Sequence, residues 1–239
     1  MNNPVTYQLE SQIARIVIDD GKRNALSPAV LKAIHNAFAQ AEKDRAVVVV
    51  TGREEVFSAG FDLKVMKRGG TSALRMLASG YSLTARVLAH PYPVIAACNG
   101  HLMAMGVFLA LAADYVLGAE GDFKISANEV ALGMTMPRVA AAMLKHRLNP
   151  AAYQRAVTLA ETFDPETARQ AGFFDELTSV DDLLPRAAAL AEAFKALEPR
   201  AHKASKRRIR RRLIRHNRLV IPLDLVDAVL LGIRGTRVS

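Results

Sequence analysis

The sequence predicts an α/β protein with a helical C-terminal part, and three observations carry that prediction. Short apolar runs at 46–52 and 94–98 fit strands buried on both faces. Segments with helical spacing separate them, and from Pro137 onward nearly every segment has that spacing. With 239 residues, 51% of them hydrophobic, the chain can bury a sizeable core, which excludes disorder, collagen-like repeats and a disulfide scaffold.

The elements follow in order. Tyr7 to Asp19 alternates apolar and polar residues around Glu10-Ser11-Gln12, as a β-hairpin does. Ser27-Pro28 opens a helix, with serine as N-cap and proline at the first position; Leu31, Ile34, Ala37, Phe38 and Ala41 then mark its apolar face. Ala46–Gly52 is a β-branched strand. A helix from about Thr71 to Ala89 is stopped by His90-Pro91-Tyr92-Pro93, and the strand Val94–Cys98 is broken at Asn99-Gly100. Met105–Ala112 reads as helix, Asp114–Leu117 and Phe123–Ser126 as extended. Helices are then expected at Arg138–Leu148, Ala151–Leu159, Pro165–Ala171 and Leu183–Leu197, followed by a basic segment and a last apolar helix from Pro222 to Leu231.

The formal charge of +9 is concentrated rather than spread. Lys203, Lys206, Arg207, Arg208, Arg210, Arg211, Arg212, Arg215 and Arg218 fall in a stretch without an acidic residue, and setting them aside leaves 23 basic and 23 acidic residues. As a helix, this stretch is expected to place Ile209, Leu213 and Ile214 on one side with arginines around the rest, a pattern that suits RNA or an acidic membrane surface. Aromatic interleaving for base stacking is missing, so nucleic acid is the disfavoured partner.

Several classes are excluded by absent motifs. There is no G-x-G-x-x-G, no P-loop, no G-x-S-x-G and no H-E-x-x-H, and the six histidines lack metal-ligand spacing. His101, after the Asn99-Gly100 turn, reads as a hydrogen-bonding structural residue. The single Cys98 allows neither an internal disulfide nor a cysteine zinc cage, so no metal is expected. The start of the chain shows no secretory signal, and the most apolar stretch, Leu102 to Ala113, falls short of the roughly 20 residues that span a bilayer. A cytoplasmic protein without a transmembrane segment is the expectation.

Three segments together resemble the crotonase (enoyl-CoA hydratase/isomerase) superfamily: Phe57-Ser58-Ala59-Gly60-Phe61-Asp62-Leu63-Lys64, Ala97-Cys98-Asn99-Gly100-His101-Leu102-Met103-Ala104-Met105-Gly106, and Asn128-Glu129-Val130-Ala131-Leu132-Gly133-Met134-Thr135-Met136-Pro137. Upstream, Arg23-Asn24-Ala25-Leu26-Ser27 is similar to the family's N-A-L segment. The resemblance covers essentially the whole chain. It implies a spiral of strand-strand-helix turns as the core, assigned to residues 1–195, and a helical, basic segment for subunit packing at 196–239, with a homotrimer or dimer of trimers as the assembly. It also implies an acyl-CoA thioester as substrate, coenzyme A being part of the substrate and no separate cofactor being needed.

The family stabilises an enolate with two backbone amides, which the resemblance assigns here to Phe61 and Met105. An oxyanion hole of this kind needs N–H groups free of secondary-structure bonding, and a turn after a strand and a helix start both provide them. The sequence departs from the family where Ala104-Met105-Gly106 replaces a glycine run, and the Met105 side chain is expected to narrow the pocket. Hydratases of the family use two glutamates. The first aligns with Phe108, which carries no proton; the second is Glu129. One base suffices to move a proton between the α and γ carbons of a 3-enoyl-CoA, and the Asn128-Glu129 context is similar to that of single-glutamate Δ3,Δ2-enoyl-CoA isomerases. Isomerisation is therefore favoured over hydration. Hydrolase or lyase activities of the family, and non-catalytic acyl-CoA binding, are the alternatives. By resemblance, Arg23 and Lys64 would meet the CoA nucleotide; Ala25, Ala59, Asp62 and Leu63 would line the nucleotide and pantetheine path. Phe108 and Gly106 would border the acyl group.

Overall fold

The computed structural model describes residues 3–235; residues 1–2 and 236–239, the ends of the expected core and C-terminal segments, lie outside the described residues. Two strands open the chain, β1 (Val5–Glu10) and β2 (Ile13–Ile18), paired antiparallel through a tight turn in which Ser11 and Gln12 take positive φ. That left-handed pair matches the twist of the strands it joins. After β3 (Ala25–Leu26) comes α1 (Pro28–Lys43), capped by the Ser27 side chain, which accepts from the Val30 amide.

The chain then repeats one unit. A first strand enters a large sheet, a second enters a small one, and a helix returns. The units are β4 (Val47–Thr51) and β5 (Glu55–Ser58) with β6 (Gly60–Phe61), α2 (Leu63–Arg68) and α3 (Gly70–Ala89); β7 (Val94–Cys98) and β8 (Gly100–Met103) with α4 (Met105–Leu111); and β9 (Tyr115–Ala119) and β10 (Ile125–Ser126) with α5 (Arg138–Arg147). The helices α6 (Pro150–Leu159) and α7 (Pro165–Ala171) lead to β11 (Glu176–Thr178), α8 (Val180–Lys195) and the long α9 (Pro199–Gly235). The large sheet runs β1-β2-β4-β7-β9-β11, parallel from β2 onward, and the small one β10-β8-β5. β3 and β6 pair separately.

Both faces of the large sheet are covered, as the β-branched runs predict. One face packs Val47, Val49, Ile95, Ala97 and Leu117 on Leu183, Ala187 and Ala191 of α8. The other packs Ile16, Val48, Val50, Ala96 and Val116 into the main core with α1, α3 and α4. Asn99 and Gly100 join the two sheets. The Asn99 side chain accepts from the Gly52 amide at 3.0 Å and donates to the Arg53 carbonyl, and a Cβ at Gly100 would lie 2.0 Å from the Glu55 carbonyl oxygen.

Three expectations are corrected. β8 and β11 depart from the sequence pattern: Gly100–Met103 reads as a turn and helix start, and Glu176–Thr178 sits in a region of helical spacing, yet both form strands because parallel neighbours offer edges to pair with. Pro222 does not open a separate helix but lies inside α9. Contacts on either side hold the axis there: Val220 is buried, and Asp224 accepts from the Arg138 and Val139 amides at 3.0 Å each, capping α5. The basic stretch is helical, and Leu213 and Ile214 of its expected apolar side pack against the main core, but Ile209 does not. Lys206, Arg210, Asn217 and Val220 are buried while Ile209 is 73% exposed, because the two cations reach Asp114 and Ile209 projects about a quarter-turn away.

The Gly100 contact yields a direct test. Gly100→Ala should lower the unfolding free energy on the order of 3 kcal/mol, from overpacking against fixed backbone, read as a lower urea midpoint at unchanged slope.

Candidate active site

The motif segments meet where β6 approaches the first turn of α4. A Cβ on Gly60, which has φ +86°, would fall 2.8 Å from the Ala104 Cβ and 3.3 Å from the Met105 nitrogen. Backbone approach this close requires glycine. Met105 is the first residue of α4, so its amide has no intrahelical partner, and among the described residues no other backbone carbonyl receives it. Ala104 turns the chain into the helix with φ 47° and ψ −123°, a glycine-type conformation. Two hydrogen bonds fix it, Ala104 N–H to Ser126 O at 2.8 Å and Val107 N–H to Ala104 O at 2.9 Å.

Behind this junction lies a buried network of motif residues to which the sequence assigns no role of their own. Asn24, itself at φ 52°, donates to the Ile18, Val56 and Phe57 carbonyls at 2.7–3.2 Å. The Ser58 hydroxyl donates to the Asn24 carbonyl at 2.8 Å and accepts from the Gly60 amide at 3.1 Å. Gly106 packs on Ser58, where a Cβ would lie 2.8 Å from the serine Cβ. Strand β6, strand β3 and helix α4 are thus fixed to one another by two small polar side chains.

Phe61 and Met105 also share a neighbour. A Cβ at Gly80 of α3 would lie 2.5 Å from the Phe61 ring and 3.4 Å from the Met105 sulfur, so the absent side chain makes room for both. The Met105 side chain is buried there, which places it in the core beside α3. Tyr81, also buried, meets the Phe61 ring edge-on with centroids 6.0 Å apart. Burial and the negative charges of Asp224 and Glu129 hold its hydroxyl firmly protonated. Tyr81 has no motif in the sequence; only its place next to Gly80 could have marked it.

Glu129 stands at the start of a short 3-10 turn, three residues beyond the Ser126 carbonyl that binds Ala104. It is 6% exposed, and its Oε2 finds no hydrogen-bond partner among the described residues. Burial raises its pKa to about 7 against a weaker opposing hydrogen bond from its own amide. Next to it, Val130, Met134, Met136, Ala141 and Val157 line an open apolar depression of ≈ 600 Å³.

The other predicted site residues are distributed more loosely. Asp62 caps α2, its Oδ1 accepting from the Lys64 amide at 2.8 Å, while the Leu63 and Lys64 side chains are exposed. Arg23 is exposed and its carbonyl accepts from the Ala59 amide at 3.0 Å; Ala25 pairs with Gly60. Phe108 is fully buried in the main core. His101 accepts from the Lys124 amide through Nδ1 at 3.0 Å, the structural role expected of it. No group of three or more His, Cys, Asp or Glu side chains suited to a metal occurs among the described residues, and no described helix is long and apolar enough to cross a membrane.

A parallel spiral of strands and returning helices, with a free amide at the start of α4 and a buried glutamate at 129, defines a protein of the crotonase fold. The model of the enoyl-CoA hydratase/isomerase family matches residues 8–224, and the chain belongs to that family. The crystal structure of an enoyl-CoA hydratase/isomerase family protein from Pseudomonas syringae is 43% identical, with a TM-score of 0.91 over 93% of this chain and 96% of that one. The apo structure of the Mtb enoyl-CoA isomerase is 41% identical, with a TM-score of 0.88 over 96% of this chain and 99% of that one. The probable enoyl-CoA hydratase echA17 of Mycobacterium avium (strain 104) is 30% identical over 189 residues, 77% of this chain and 73% of that protein.

Two predictions follow from the site's strain and charge. Ala104→Gly should stabilise the fold by about 1 kcal/mol, the relieved strain exceeding the added unfolded-state entropy, seen as a raised melting temperature. Glu129 has its folded pKa raised from 4.5 to about 7, so its contribution is most favourable below 4.5 and is lost as pH rises through 7. Glu129→Gln should therefore be more stable than wild type at pH 8, on the order of 3 kcal/mol, and the advantage should vanish towards pH 4 in denaturant titrations.

Proposed function

We propose that the chain converts 3-enoyl-CoA to 2-enoyl-CoA, as in fatty-acid metabolism. The Phe61 and Met105 amides would receive the thioester oxygen as the enolate forms, and Glu129 would carry the proton between the α and γ carbons. The single observation that carries this reading is the buried Glu129 carboxyl, whose Oε2 finds no partner among the described residues and whose pKa is raised to about 7, so that it can both take and return a proton at neutral pH. Each amide donor would supply about 2.7–4 kcal/mol of transition-state stabilisation. Phe108, apolar and buried, offers no second carboxylate.

Arg23 and Lys64, both exposed, would meet the phosphates of coenzyme A, with Ala25, Ala59, Asp62 and Leu63 along the nucleotide and pantetheine path. Gly106 and Phe108 would close the acyl end from the core side. Hydration is the second reading, favoured by relatives named as hydratases. Subunit packing is proposed for α9 within the 196–239 segment, because Leu219, Leu223, Val226 and Leu230 are exposed at helical spacing on one side. A cytoplasmic site of action belongs to the same proposal.

The test offers 3-enoyl-CoA and 2-enoyl-CoA separately to wild type and Glu129→Gln. Isomerisation should exceed hydration, rise as pH climbs through about 7, and fall by at least about 100-fold in the variant; hydration at a matching rate would reverse the preference. Leu223→Glu should lower the oligomer mass in light scattering, and an unchanged mass would remove the assembly proposal.

A further inference from the structure

The basic segment contains one residue whose contacts concern the site rather than the surface. Arg210 of α9 is buried, and its guanidinium spans the ends of two helices. Nη2 donates to the Ala113 carbonyl at 2.8 Å and Nη1 to the Ala112 carbonyl at 3.2 Å, at the C-terminal end of α4. Nη1 also lies 3.5 Å from the Leu88 carbonyl in the last turn of α3, and 3.1 Å from Asp114 Oδ1. Asp114 in turn accepts from Lys206 at 2.5 Å and from the Val94 amide of β7 at 2.8 Å. The carbonyls at a helix C-terminus have no partners of their own, and a cation there satisfies both their bonding and the helix dipole.

These are the two helices that carry the candidate oxyanion site. Helix α4 is seven residues long, about 10 Å, with the Met105 amide at one end and the Arg210 bonds at the other. Helix α3 brings Gly80 and Tyr81 against Phe61 and Met105. So short a helix moves as a rod, and a shift at its C-terminal end re-aims its first amide.

We propose that Arg210 is a positioning residue for the oxyanion site: by bonding the ends of α4 and α3 together it fixes the direction of the Met105 N–H. This rests on the enolate reading of the site. Lysine cannot replace it, since one ammonium cannot reproduce the planar fork that reaches Ala112 and Ala113 together. Lys206 supplies the contrast, because it shares Asp114 but bonds no α3 or α4 carbonyl, its other contact being the Tyr92 carbonyl at 3.4 Å.

The experiment compares Arg210→Lys and Lys206→Met with wild type. It measures kcat and KM for α-proton exchange of an enoyl-CoA in deuterated water, thermal unfolding, and amide hydrogen exchange across residues 105–111. Arg210→Lys should lower kcat by about 10- to 100-fold with KM unchanged and should speed exchange across 105–111. Lys206→Met should lose stability yet keep the wild-type kcat. Wild-type kcat in Arg210→Lys, or an equal kcat loss in Lys206→Met, would overturn the proposal. A wild-type chain that exchanges no α proton would overturn the enolate reading instead, and Arg210 is then judged on amide exchange alone: unaltered exchange across 105–111 in Arg210→Lys would overturn it.

Discussion

The approach of Gly60 to the Ala104–Met105 turn is the contact on which the rest of the site depends. It brings a short strand from one turn of the spiral against the start of a helix from the next, with no side chain between. Asn24 and Ser58 fix the strand side, the Ser126 carbonyl fixes the helix side, and Gly80 leaves the space that the Phe61 ring and the Met105 side chain occupy together. Without the contact, the proposed meeting of the Phe61 and Met105 amides at one oxygen would have no basis.

Holding it there opposes stability in several places. Ala104 keeps a conformation that costs about 1–3 kcal/mol for a residue with a Cβ. Glu129 is buried with no partner for one oxygen among the described residues, and Lys206 and Arg210 bring two cations to one half-buried carboxylate. Burial lowers the Lys206 pKa to about 8 despite the attraction of Asp114. Such groups persist because the surrounding sheet and helices over-determine them; the large sheet, covered on both faces, supplies that rigidity.

Much of this was legible in the sequence, for identifiable reasons. Strands at 47–51 and 94–98 are β-branched or small and buried on both sides, and the Ser27 and Asn99-Gly100 signals rest on local chemistry. The approach of Phe61 to Met105 was available from resemblance alone, since no spacing rule brings two distant segments together. Two-residue strands such as β3 and β6 carry too little pattern to be read and exist because a neighbour pairs with them. The role of α9 was the least legible. An arginine that caps two helices and one that faces solvent look alike in a row of nine cations, and only the fold separates Arg210 from Arg211.

The vibrational frequency of the carbonyl in a bound acyl-CoA thioester tests the central claim most directly, because it reports the two amide donors without requiring turnover. Two hydrogen bonds at one oxygen weaken the C=O bond, so the stretch should move to lower frequency on binding, and Gly60→Ala, which pushes the strand from the helix, should return it towards the solution value. A bound thioester whose carbonyl frequency matches that in water, in wild type and variant alike, would contradict the account.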